Sequence, residues 1–167
     1  MTEKSSPSEI FLQLLRTANF VVSYSPMQDE PDPQSLLQLA DPKSQVVTLS
    51  QDPSNDPTGT ARELREAYGN VDVALVFIPG RAFDLTGTRH GRGRGWYDRF
   101  LRALPQSWWR IGVAKKKHMH QKRLLRQPWD EPMDWLLIND GDAWQMRRVS
   151  SEKIRMPRDT GPRTDQS

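Results

Sequence analysis

Apolar residues in this chain gather into short runs and one-sided stripes, divided by polar stretches rich in proline and glycine. Residues 71–78 are apolar almost throughout, as a central parallel strand covered on both faces requires. Shorter runs at Phe20–Tyr24, Gln45–Leu49, 110–114 and 135–138 predict further strands, with 143–149 as an added edge. Between them the period lengthens. Ser6-Pro7-Ser8-Glu9 has the form of a capping box with proline at the first helical position, opening a helix with Ile10, Phe11, Leu14 and Leu15 on one face. Asp32-Pro33 opens a second, holding Leu36, Leu37 and Leu39. Residues 61–68 predict a third that stops at Gly69, and 96–104 a fourth whose inner face holds Tyr97, Phe100, Leu101 and Leu104. Residues 50–59 read as polar turn, and 118–126 as a very basic helix or turn. Strands alternating with helices imply an α/β class: a doubly wound, mainly parallel sheet flanked by helices. One domain is expected over residues 6–149. From residue 150 onward polar residues and proline dominate, which predicts a disordered tail over 150–167.

At 167 residues the chain is long enough to bury a real core. It has no cysteine, which excludes disulfides, thiolate metal sites and a thiol nucleophile. No run approaches the roughly 18 apolar residues of a membrane span, and the first residues lack an apolar signal core. The expectation is a cytoplasmic protein with no membrane partner, favoured as a monomer. The net charge of +3 hides an asymmetry: residues 89–126 carry twelve Lys and Arg against one acid, Asp98, together with His90, His118 and His120. Such a window calls for a polyanion, whether nucleotide phosphates, a polyglutamylated metabolite or nucleic acid.

The chemistry concentrates just after the strongest strand. Pro79-Gly80-Arg81-Ala82-Phe83-Asp84 leads into a stretch of eleven residues, 89–99, holding three alternate glycines, four arginines, Trp96-Tyr97 and Asp98. Glycines let backbone come close to an oxyanion, and arginines supply forked donors for phosphate. A strand, a glycine-rich loop and a helix start form the usual phosphate cradle of α/β proteins. The bland alternatives are a flexible Arg-Gly loop for the glycines and a first-turn carboxylate complementing the helix dipole for Asp98. His118 and His120 lack an evident third ligand, so they read as solvated surface. Lys115-Lys116-Lys117 reads as a solvated face, and Trp108-Trp109 as a cap on the core.

The segment from Ile78 to Leu101, with Pro-Gly, Ala-Phe-Asp and then Arg-x-Gly-x-Gly-x-Gly-Trp-Tyr-Asp-Arg, resembles the signature of the 5-formyltetrahydrofolate cyclo-ligase (methenyltetrahydrofolate synthetase) family. Flanking stretches are similar too: Arg110-Ile-Gly-Val-Ala114, Trp129-Asp-Glu-Pro-Met-Asp134 with Leu136-Leu-Ile138, and Tyr24 to Glu30 followed by Asp32. The resemblance implies an enzyme that uses ATP and Mg²⁺ to convert 5-formyltetrahydrofolate to 5,10-methenyltetrahydrofolate. The formyl oxygen is phosphorylated, the neighbouring folate nitrogen closes the ring, and phosphate leaves. By matched position, Arg89 and Tyr97 would be catalytic. Arg89, Gly91, Arg92, Gly93, Arg94, Gly95, Trp96 and Tyr97 would bind ATP. Glu30 and Trp96 would meet the reduced folate, and Asp98 and Asp130 would hold Mg²⁺ as hard oxygen ligands.

The chain also departs from the family pattern. No Lys-x-x-Leu-Arg helix is present near the start, and the strands expected before the Pro-Gly strand are compressed into residues 45–59. Trp129 stands in place of a histidine, Trp96 in place of a tyrosine, and Asn139-Asp140 in place of a threonine-glutamate. The alternative reading is therefore a catalytically impaired paralogue that binds a nucleotide, or a nucleic acid through the basic window 89–126.

Overall fold

The computed structural model describes residues 7–149, so the tail expected over 150–167 lies outside the described residues. The main sheet contains β1 (Phe20–Tyr24), β2 (Gln45–Leu49), β3 (Ala74–Pro79), β6 (Trp109–Lys115), β8 (Trp135–Asp140) and β9 (Ala143–Arg148), in the order β2-β1-β3-β6-β8-β9. Five strands run parallel, with Phe20 opposite both Gln45 and Ala74, Leu75 opposite Trp109 and Ile111 opposite Trp135. Only β9 is antiparallel, closing on β8 by a hairpin. The helices are α1 (Pro7–Thr17), α2 (Gln34–Leu37), α3 (Pro57–Tyr68) and α4 (Trp96–Ala103). This is the doubly wound α/β architecture that the strand-helix alternation predicts.

Period-two alternation on the buried strands divides the core into two layers. Val22, Val76 and Ile78 face α3 and α4, meeting Ala61, Leu64, Phe100 and Leu101. Val21, Leu75, Phe77, Ile111 and Val113 face the other way, meeting Phe11 and Leu15 of α1. Each Phe or Leu side chain buried in this way contributes about 1.5–3 kcal/mol of transfer free energy. The chain runs outward from β1 to β2 and then returns to the opposite side of β1 at β3. That reversal opens a crevice beyond the carboxyl ends of β1 and β3, where doubly wound sheets place their ligands.

Several boundaries differ from the sequence expectation. The third helix begins at Pro57, inside the presumed turn, because the Asp56 carboxylate accepts the Thr58 N–H and proline occupies the first turn. The second helix is a single turn, and Leu39 lies 48% exposed beyond it. Ile10 is also exposed, since Phe11, Leu15 and Ala18 form the inner stripe of the first helix and the residue after it. Strand β3 starts at Ala74; the Val73 N–H is taken by the Asn19 side chain and the Val73 carbonyl by the Asn19 N–H. The basic stretch 118–126 is not a helix. A 3-10 turn over Lys116–His118 leads into β7 (Met119–His120), and irregular chain follows.

The reason is a small second sheet that sequence periodicity did not reveal. β4 (Ala82–Asp84) pairs antiparallel with β5 (Arg89–His90) and parallel with β7. Asp84, 1% exposed, is its hub. Its Oδ1 accepts the Thr86 N–H, the Thr86 hydroxyl and the Thr88 N–H, while Oδ2 accepts the Leu124 N–H at 2.7 Å. Burial pushes the Asp84 carboxyl upward, but the Thr86 hydroxyl and the three N–H donors together outweigh it and hold it below its ordinary range. Met119 and His120 are thus paired with β4, and the Leu124 N–H is held by Asp84, in place of helical hydrogen bonds. Among the described residues, no helix is long and apolar enough to cross a membrane.

Candidate active site

The crevice beyond β1 and β3 is a cleft of about 770 Å³. Its walls come from the loops after β1 (Met27, Glu30), β2 (Ser50 to Pro53) and β3 (Pro79 to Arg81), with the glycine-arginine loop and the start of α4. Residues of the irregular segment after β7, Leu125, Gln127, Trp129 and Asp130, complete the rim. All eleven residues proposed from the sequence line this one cleft: Glu30, Arg89, Gly91, Arg92, Gly93, Arg94, Gly95, Trp96, Tyr97, Asp98 and Asp130.

Arg89 dominates the electrostatics. It leaves β5 only 7% exposed, with one guanidinium nitrogen donating to the Pro79 carbonyl at 3.0 Å and the cation 5.3 Å from the Tyr97 ring centroid. Its Nε is buried without a partner, and among the described residues no carboxylate forms an ion pair with it. Burial lowers its pKa, opposed by the negative charge of Asp98 and, more weakly, of Asp130 and Glu30, yet a guanidinium stays charged at any ordinary pH. A desolvated cation without a carboxylate partner is costly, and an anion in the cleft would relieve it.

The local sequence makes this placement feasible. A Cβ on Gly80 would lie 2.8 Å from both Arg89 Cγ and the Phe83 ring, and one on Gly91 would lie 2.7 Å from Arg89 Nη1. Only glycine lets the loop fold against the guanidinium at those two positions. Gly93 and Gly95 have φ of 81° and 64°, conformations that side chains disfavour, and Gly95 is the N-cap of α4. The loop therefore delivers Arg92 and Arg94, both exposed, and the first N–H groups of α4 to the same opening.

Trp96 and Tyr97 turn their rings toward the cleft, packed edge-to-face at 5.1 Å, and the Trp96 Nε1–H donates to the Asn55 carbonyl. Burial pushes the Tyr97 hydroxyl up, so it stays protonated. Asp98 is held with Oδ1 accepting the Glu131 N–H at 3.1 Å. Burial raises its pKa first of all; the Glu131 N–H and Arg89 oppose, and Asp130 and Glu131 add to the rise. Asp130 closes a tight turn by accepting the Gln127 N–H through Oδ2. Among the described residues no donor reaches Asp98 Oδ2 or Asp130 Oδ1, and no group of three or more His, Asp or Glu converges as a metal cage. Two carboxylates on the rim of a cleft lined by arginines would suit Mg²⁺, which takes one or two protein oxygens and completes its shell with ligand oxygens and water.

On the opposite wall Glu30 is half-buried. Its Oε1 accepts the Met27 N–H at 2.8 Å and the Gln51 amide, and Gln51 also donates to the Ser25 carbonyl. Gln51, Met27 and Pro53 were not anticipated. They sit in segments whose polar composition reads as plain turn, and only the pairing of β1 with β2 brings them to the cleft.

Set beside known proteins, residues 41–139 match the model of the 5-formyltetrahydrofolate cyclo-ligase family, which is more than half of the chain. The chain belongs to that family. Among curated relatives it is 44% identical to the mouse 5-formyltetrahydrofolate cyclo-ligase over 48 residues, 29% of this chain and 23% of the mouse protein. It is 32% identical to the Mycoplasma genitalium 5-formyltetrahydrofolate cyclo-ligase over 68 residues, 41% and 40% of the two chains. Against the probable 5-formyltetrahydrofolate cyclo-ligase of Schizosaccharomyces pombe it is 32% identical over 102 residues, 55% and 46%. The chain thus spans less than half the length of each of these relatives. Two solved 5,10-methenyltetrahydrofolate synthetases share the fold. That of Aquifex aeolicus has a TM-score of 0.54 and 23% identity over 88% of this chain and 83% of its own. That of Mycoplasma pneumoniae has a TM-score of 0.51 and 20% identity over 79% and 80%. At such identities the cyclo-ligase likeness to these structures carries the architecture alone.

Proposed function

We propose that this cyclo-ligase family member converts 5-formyltetrahydrofolate to 5,10-methenyltetrahydrofolate, with ATP cleaved to ADP and phosphate, through a single domain over residues 6–149. The observation that supports this most is the buried guanidinium of Arg89, without an ion-pair partner, facing a cleft edged by Gly91 to Gly95 and Asp98. Phosphoryl transfer depends chiefly on positioning and on donors placed where charge develops. Arg89, immobilised by the Pro79 carbonyl and the face of Tyr97, offers its free N–H groups to the transferring phosphoryl oxygens. The glycine loop and the N-terminus of α4 direct backbone N–H groups to the remaining phosphates, with Arg92 and Arg94 at the mouth. Trp96 and Tyr97 exclude water beside the reacting formyl group, and Glu30 accepts the paired N–H groups of the folate amino-pyrimidine.

Mg²⁺, when bound by Asp98 and Asp130, would neutralise phosphate charge as ADP departs. The formyl oxygen takes the γ-phosphoryl group, the adjacent ring-closing nitrogen attacks the formyl carbon, and phosphate leaves with the former formyl oxygen. Mixed with 5-formyltetrahydrofolate, ATP and Mg²⁺, the purified protein is expected to develop the near-ultraviolet absorbance of the methenyl product. No gain at high enzyme concentration refutes the proposal. A second reading has its own support: Lys116, Lys117, Lys122 and Arg123 are all exposed. If the protein binds polyanions without catalysis, nucleic-acid affinity will fall steeply with salt.

A further inference from the structure

Asp98 and Asp130 lie on different elements, one in the first turn of α4 and the other on chain without regular structure. Such a segment has few backbone bonds to hold it, so side chains must fix its place. Those side chains form a closed circuit. Arg110, 4% exposed, rises from β6 and donates through Nη2 to the Leu101 carbonyl of α4 at 3.0 Å. Through Nη1 it meets Glu131 Oε2 at 2.5 Å, and the Glu131 side chain is itself only 10% exposed. Glu131 then returns to α4, because its N–H donates to Asp98 Oδ1. Arg102 adds a third tie, donating to the Trp129 carbonyl at 3.0 Å.

We propose that Arg110 and Glu131 are positioning residues: their buried ion pair locks the segment carrying Asp130 against the helix carrying Asp98, and so presets the two carboxylates for a divalent cation. This rests on the metal site of the proposed function. Neither Arg110 nor Glu131 lines the cleft. It acts through the Glu131 backbone, whose N–H orients Asp98 Oδ1 and whose neighbour in sequence is Asp130. Supporting shells of this kind commonly change metal affinity about 10–100-fold when broken.

The test compares binding of ATP in EDTA with binding of Mn²⁺·ATP, by calorimetry and by the paramagnetic signal of free Mn²⁺. In the wild-type chain Mn²⁺·ATP is expected to bind the more tightly. Glu131→Gln can still accept from Arg110 and is expected to stay within about twofold of wild type. Glu131→Ala strands a buried cation and risks unfolding, so the double variant Arg110→Met/Glu131→Leu removes both charges at similar volume. In that variant Mn²⁺·ATP is expected to weaken at least about tenfold while metal-free ATP is unaffected. A folded double variant with the wild-type ratio of the two affinities overturns the positioning role and leaves the functional reading intact. Should the double variant not fold, Arg110→Lys, which keeps the charge but cannot bond Glu131 and the Leu101 carbonyl as one fork, decides in the same way. A wild-type chain that binds ATP equally with and without Mn²⁺ overturns the metal site and this role together.

Discussion

The two walls of the cleft are built on different principles. The arginine wall grows out of the core: Pro79 ends a fully buried strand, Arg89 is buried against it, and α4 packs Phe100 and Leu101 into the same layer that β3 faces. The facing wall is a pair of loops after β1 and β2, where β2 is a half-exposed edge strand and Gln51 and Glu30 hold one another. Charge that must be desolvated sits where packing can immobilise it, and adaptable hydrogen-bonding groups sit where the sheet thins out. A phosphoryl group demands fixed donors, whereas recognition of a folate ring tolerates side chains that settle on binding. The contrast predicts that damage to the first wall removes turnover and damage to the second only weakens substrate binding.

The largest effect is expected at Arg89. Arg89→Ala removes the buried cation, and kcat should fall about 10³-fold, some 4 kcal/mol of transition-state stabilisation. Stopped-flow measurement of product absorbance at saturating ATP reads this directly; a loss confined to KM would place Arg89 in ground-state binding only. Gly91→Ala comes next. The new Cβ, 2.7 Å from Arg89 Nη1, forces the pinned guanidinium aside, and kcat/KM for ATP should drop about 10²-fold with folding retained. Gly141→Ala meets nothing within 4 Å and bears only the strain of its φ, in the β8–β9 turn outside the cleft lining, so it serves as the control. Farther back, Asp84→Asn weakens the hub under the arginine wall and should cost about 2 kcal/mol of stability at neutral pH. Because the folded-state pKa of Asp84 is depressed, its stabilisation is complete above the unfolded-state value and lost as pH falls through the folded one. Denaturant midpoints of wild type and variant should therefore converge in acid; a constant gap would show that the carboxylate charge is not what stabilises.

The arginine wall was legible in the sequence for the same reason that it is rigid. A buried strand, a glycine loop and an amphipathic helix each leave a short-range pattern, and residues 78–101 carry all three in succession. The facing wall was legible only at Glu30, through the family resemblance, because its partners Met27 and Gln51 are ordinary turn residues until the β1–β2 register brings them together. The β4-β5-β7 sheet escaped notice for a related reason. Its strands are three, two and two residues long, too short to show alternation, and Asp84 draws in chain forty residues away. Charge composition left 118–126 open between a helix and a turn, because nothing local marks Met119, His120 and Leu124 as drawn to β4 and Asp84. Arg110 and Glu131 gave no local signal either, since a salt bridge between a strand and irregular chain has no sequence period.

The smaller effects belong to the facing wall. Glu30→Gln retains shape and loses the charge that would accept two N–H groups, so KM for the folate should rise about tenfold, near 1.4 kcal/mol, with KM for ATP unchanged. If both constants move together, the two walls are coupled and the division drawn above is wrong. Gln51→Ala should do least. Gln51 bridges Glu30 and the Ser25 carbonyl, and a hydrogen bond of this sort contributes about 1 kcal/mol net. Glu30 keeps the Met27 N–H in the variant, so it remains oriented, though less tightly. A rise of about fivefold in the folate KM follows, visible in initial rates at fixed ATP. An increase larger than that of Glu30→Gln would mean that the loop after β2, not the carboxylate, sets the substrate's place, and that this wall is as preorganised as the one opposite.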